Sequence, residues 1–169
     1  MALAAAIALL LGGLGWLTTL WGGRKGETSR AVAMLNRAVN ARWGDPLSAP
    51  KLGAPLEPGL LRLDSGLAQV VFYNGARVVI EGPTELKLVS SMEAVCNRGV
   101  LTAEVPPQAQ GFRILSPRFD VTDRGTAFGL KVGSDRSELH VFEGRVEFRA
   151  DTAGAENLTE GNAARSEEH

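Results

Sequence analysis

The chain has 169 residues, with 18 Lys plus Arg against 19 Asp plus Glu and a formal net charge of −1. That balance lacks the basic footprint of a nucleic-acid binder. Its one cysteine, Cys96, excludes an intramolecular disulfide and a cysteine-built zinc site, and its place in a patterned strand reads as a small buried hydrophobe.

Residues 1–23 (MALAAAIALLLGGLGWLTTLWGG) carry no charged side chain. A bilayer core of about 30 Å needs roughly 20 apolar helical residues, so the block is long enough to span it as one transmembrane helix. Trp16 and Trp21 sit towards its C-terminal end, where aromatic rings favour the headgroup layer. A cleaved signal peptide fits less well: the nearest small-x-small run, Ala31-Val-Ala33, lies beyond Arg24, Lys25 and Arg30. A buried core helix would show a polar face, and this block has only Thr18 and Thr19. Arg24 and Lys25 follow the block, and the positive-inside rule taken alone would put the rest of the chain in the cytoplasm.

Residues 24–34 read as a juxtamembrane linker. In 31–43, Val32, Leu35, Val39 and Trp43 fit a helical stripe, while Val39, Ala41 and Trp43 alternate as a strand would. Residues 48–59 (SAPKLGAPLEPG) form a loop. From Leu60 the period is two. Ser65-Gly66 reads as a turn, and Asn74-Gly75 is a strong hairpin signal, because a type I′ turn needs positive φ at both central residues. Gly82-Pro83 closes the returning strand, and Asn97-Arg98-Gly99 makes another hairpin turn. Strands then follow at 100–105, 112–115, 119–121, 127–132, 138–142 and 145–148. Gly82, Gly99, Gly111, Gly125 and Gly144 each read as the tight turn at a strand end.

About ten short antiparallel strands make a single all-β domain over 35–150, as a sandwich, a roll or a solenoid-like stack, preceded by one transmembrane helix. The tail 151–169 lacks apolar periodicity and reads as disordered.

Catalytic patterns are weak. Asp120 and Asp123 are three apart, so in an extended strand they point to opposite faces. Glu143 and Glu147 flank a Gly turn and read as solvated charges, and His140 as a surface histidine. With no phosphate-cradling glycine loop and no GxSxG elbow, the expectation is no enzyme, no cofactor, no metal and no small-molecule substrate. Trp43 and Tyr73 are the candidates for a carbohydrate platform, but Trp43 reads as a core residue and Tyr73 as the cap of a hairpin. The alternative reading is a structural or carbohydrate-contacting surface β module with no signalling role.

The run from Leu61 to Pro83 (LRLDSGLAQVVFYNGARVVIEGP) resembles the core of FecR-like domains, particularly the planctomycete type. So do RGVLTAEVP at 98–106, Gly111-Phe112, Ser116-Pro117, DRGTAFG at 123–129 and HVFEGRVE at 140–147. The motif residues on which it rests include Asn74, Gly75, Glu81, Gly82, Pro83, Gly99, Gly111, Phe112, Pro117, Asp123, Gly125, Thr126, Phe128 and Gly144. Arg124 and Ala127 depart from the family pattern, which has an aliphatic and an acidic residue there. The resemblance places a first strand near 37–43. It implies a β domain in the periplasm, held by a single-pass anchor in the inner membrane. The implied partner is a protein of the envelope: a transporter signalling domain, or a system controlling an extracytoplasmic-function sigma factor, with a tie to iron uptake.

Overall fold

The computed structural model describes residues 30–150 and 154–167; the apolar block 1–23 and the linker up to residue 29 lie outside them. Among the described residues no helix is long and apolar enough to cross a membrane. Twelve strands form one continuous sheet: β1 (Ala33–Trp43), β2 (Pro55–Leu56), β3 (Gly59–Phe72), β4 (Arg77–Ser90), β5 (Glu93–Glu104), β6 (Arg113–Leu115), β7 (Phe119–Asp123), β8 (Ala127–Val132), β9 (Arg136–Glu143), β10 (Arg145–Ala150), β11 (Ala155–Thr159) and β12 (Ala163–Glu167). The all-β class is as the sequence patterning implies.

Two features depart from that patterning. The strands are not all short, since β3 and β4 have 14 residues each and β5 has 12. Ser65-Gly66, Gly82-Pro83 and Asn97-Arg98-Gly99, all expected to be turns, lie inside these strands. Nor is every pairing antiparallel, because β6 runs parallel to the first half of β5.

The reason is positional. The ladder slips between Leu63 and Leu67 in β3 and between Glu81 and Glu85 in β4, so the irregularities of neighbouring strands fall side by side. They form one crease across the sheet. Burial changes phase there: Leu63 is buried before the crease in β3 and Ala68, Val70 and Phe72 after it, and in β5 Ala94 and Cys96 give way to Leu101 and Ala103. With a period of two, such a flip requires an extra residue, which is a β-bulge.

Bending at the crease folds the sheet onto itself. The two ends of β4 come together, with Asn74 Nδ2 3.2 Å from Met92 Sδ and the rings of Phe72 and Phe112 edge-to-face at 4.7 Å. One layer contains the second halves of β3 and β5, the first half of β4, and β8, β9 and β12. The other contains the complementary halves with β6, β7, β10 and β11. Each layer contributes a core row in strict register, Ala68–Ile80–Leu101–Leu130–Leu139 in one and Leu88–Ala94–Ile114–Val121–Phe148 in the other. All ten are buried, and each large side chain so covered contributes about 1.5–3 kcal/mol.

The segment expected to be a disordered tail is ordered over 154–167. β11 pairs with β10 and β12 with β9, each as an antiparallel edge strand. Its sequence looked aperiodic because an edge strand buries little. Only Leu158 and Ala164 pack against the core. The first strand also begins earlier than the expected 37–43, at Ala33, inside the stretch read as linker.

Candidate functional site

The motif residues divide between the crease and the opposite end of the sandwich. At the crease, Gly99 has φ +115, and a Cβ on it would stand 2.6 Å from Thr84 Cα; a Cβ on Gly82 would stand 2.5 Å from Ser65 Cα. Backbones therefore approach here in a way only glycine permits. The Gly82–Pro83 peptide is cis. Thr84 is buried, donates its hydroxyl to the Glu81 carbonyl and accepts from Val100 N–H at 3.1 Å, taking over a ladder position that the bulge vacates. Thr84 has no sequence signal of its own; only the register reveals its role.

At the far end the chain crosses between layers at several points, two of them through 123–126 and through Gly144. Asp123 is fully buried at the first crossing. Its carboxylate accepts from Gly125 N–H at 2.7 Å and from the Thr126 hydroxyl, while its backbone is bonded to Gly111 and Phe112. Burial pushes the Asp123 carboxyl up to about 6, against the downward pull of these donors and of the Arg124 charge. Gly144 lies against the Gly125 carbonyl, locking one crossing onto the other. Phe112 and Phe128 are core residues, Pro117 is exposed, and Asn74 and Gly75 form the hairpin tip, where Asn74 Oδ1 accepts from Ala76 N–H at 2.8 Å. This cluster is architectural: every polar atom of Asp123 is used in holding the turn.

Asp120 and Asp123 point to opposite faces, as their spacing implies. Phe119, Val121 and Asp123 face the core, and Asp120 faces away. Glu147 is bound to Arg124 at 2.5 Å, which holds its carboxyl below the usual range, and Glu143 is exposed. His140 stands on the outer face 3.9 Å from Glu138. Cys96 is buried and its thiol is pushed up to about 12, chiefly by desolvation. Among the described residues no group of three or more His, Cys, Asp or Glu could hold a metal ion. Trp43 and Tyr73 do not share a platform. Trp43 ends β1 beside an open cleft of about 270 Å³ lined by Ser48, Pro50, Leu60 and Leu61, whereas Tyr73 N–H bonds Val32 before β1 begins.

The surface is instead a set of cross-strand ion pairs and strand edges. Glu85 lies between Arg62 and Arg98, Arg77 pairs with Glu104, and Arg113 with Glu93. These pairs lie at the surface, with Glu85 and Glu93 half-buried, and solvent screens them, so they favour the observed register more than they stabilise the fold.

Residues 63–147 match the FecR protein family, and the chain belongs to that family. Two crystal structures of a candidate anti-sigma factor from Parabacteroides distasonis ATCC 8503, at 2.50 and 1.65 Å resolution, have a similar fold. Each aligns with a TM-score of 0.56 at 16% identity, over 64% of this chain and 54% of that one. The chain thus spans about half the length of the solved protein it resembles. No curated protein matches the chain.

Proposed function

We propose that this chain is a membrane-anchored FecR domain, exposed to the periplasm, that acts by protein–protein contact in regulating an extracytoplasmic-function sigma factor. The observation that carries the reading is the family match over 63–147, which covers the crease, the layer crossings at 123–126 and Gly144 and most of the core. The candidate anti-sigma factor that shares the fold points the same way. A surface of ion pairs and open strand edges suits a partner that is itself a polypeptide. Anchoring rests on the uncharged block 1–23, from which the chain reaches the first described residue, Arg30, within seven residues. A tie to iron uptake rests on the resemblance alone.

Fusing paired reporters after Phe148 tests the topology, one active only outside the cytoplasm and one only inside. The reading predicts signal from the external reporter alone. Signal from the cytoplasmic reporter alone would overturn it and make Arg24 and Lys25 the determinants of orientation.

A further inference from the structure

Resting on the reading of the domain as a protein-contact module, we propose that the outer edge of β1, from Asn36 to Trp43, docks an acidic extended segment of a protein partner as an added strand. On its inner side β1 is paired with β3. On its outer side β2 covers only Ala33 and Met34, and the backbone of Gly53 and Ala54 satisfies Leu35. Beyond Leu35, no described residue pairs with that edge. Unpaired N–H and C=O groups in an exposed strand are a template for another chain.

Charge defines the kind of chain. Arg62, Arg77, Arg98 and Arg113 each face a glutamate across a strand pair, and Arg124, in the turn after β7, is held by Glu147. Arg37 and Arg42, on the exposed edge, have no carboxylate in ion-pair reach among the described residues. Between them Val39 is 47% exposed and stands opposite Leu67, itself 42% exposed, so the edge offers an apolar step flanked by two cations. A second copy of this chain would bring arginines to arginines and is disfavoured, whereas a segment alternating carboxylates with apolar residues fits.

The edges of β11 and β12 are less suited. β11 places Glu156 opposite Phe148, on its core-facing side, a charge that discourages further stacking. On β12, Arg165 is already held by Glu138 at 2.9 Å. The positive φ of Asn40 interrupts the β1 edge, so the docked segment pairs in two short runs rather than one long one.

The test uses the full chain in nanodiscs with a labelled peptide of about ten residues alternating Val and Glu, and a Val–Lys peptide of equal length. Anisotropy at low salt reads affinity, and hydrogen exchange reads the site. The Val–Glu peptide is expected to bind and to slow exchange at residues 37–43. Reversing both charges, Arg37→Glu with Arg42→Glu, should weaken it by about tenfold and let the Val–Lys peptide bind instead. The milder Arg37→Gln with Arg42→Gln pair, checked by thermal melting, guards against misfolding and should weaken Val–Glu binding by a smaller factor. Equal affinity for the two peptides, protection at β11 or β12, or no binding at millimolar peptide would each overturn the proposal. Since the readout is binding to a synthetic strand, such a failure leaves the regulatory reading standing, to be judged by transcription.

Discussion

Gly99 lies directly over Thr84 across the β4–β5 ladder, with its φ at +115. The two residues are mutually required. The glycine lets the backbones close, and the threonine hydroxyl occupies the space a Cβ would need while accepting the Val100 N–H. A folded-over sheet depends on several such contacts falling on one line.

Gly99→Ala should therefore be among the more costly small substitutions in the domain. It adds about 1–3 kcal/mol of backbone strain to a collision with Thr84. Gly161→Ala is the control, because Gly161 also has positive φ (+77) but nothing within 4 Å of a Cβ. Thermal denaturation should show a clearly larger fall in Tm for Gly99→Ala, and equal falls would refute the close-packing account.

Asp123 should give the domain an unusual pH response. Its folded carboxyl is raised from 3.8 to about 6, so the folded state binds the proton more tightly than the unfolded state does. The resulting stability is fully present below pH 3.8 and is lost as pH rises through about 6. Glu104 and Glu147, whose carboxyls are held low by Arg77 and Arg124, act in the opposite direction and lose stability as pH falls. Subtracting the Asp123→Asn melting profile from that of the parent isolates the first effect, and the difference should decline between pH 4 and 6.5. Asp123→Ala, which strands the buried Thr126 hydroxyl and the Gly125 N–H, should cost about 1–3 kcal/mol at any pH.

Ser137 offers a gain. Its hydroxyl is buried and has no hydrogen-bond partner among the described residues. Ser137→Ala removes that penalty and should leave the protein as stable or raise stability by about 1 kcal/mol, read from a denaturant midpoint at unchanged m. A drop of that size would reveal a partner for the hydroxyl.

Truncation after Ala150 removes β11 and β12 and uncovers the edges of β9 and β10. Val146 and Phe148 in β10 and Leu139 and Val141 in β9 then border open backbone. Sedimentation should show more self-association than the parent under the same conditions, because an apolar edge without its covering strand pairs with copies of itself. A truncated chain that stays monomeric would show that β11 and β12 are dispensable covers.

Much of this fold was legible in the sequence. Alternation marked most of the strands, and Asn74-Gly75 marked a real hairpin tip, although Gly75 (φ +102) and not Asn74 has positive φ, so the turn is not the type I′ that the dipeptide implies. The crease was not legible. Ser65-Gly66, Gly82-Pro83 and Asn97-Arg98-Gly99 have the local grammar of chain reversal, and only their alignment across neighbouring strands makes them bends. β11 escaped notice for a related reason: Glu156 at its core-facing position breaks the alternation by which a strand is recognised. The motif residues at Asp123, Gly125, Thr126 and Gly144 were visible as a group. Their shared task, fastening the layer crossing at 123–126 to the one at Gly144, required the fold.

Sigma-factor control is the central claim, and transcription tests it most directly. RNA levels compared between cells with and without the chain should show one set of genes, sharing a single promoter element, moving together. The Arg37→Glu with Arg42→Glu variant, expressed at parental level, should reproduce the effect of losing the chain if the β1 edge is the contact. An unchanged transcriptome on removal of the whole chain, under conditions where the protein is present, would contradict the regulatory account.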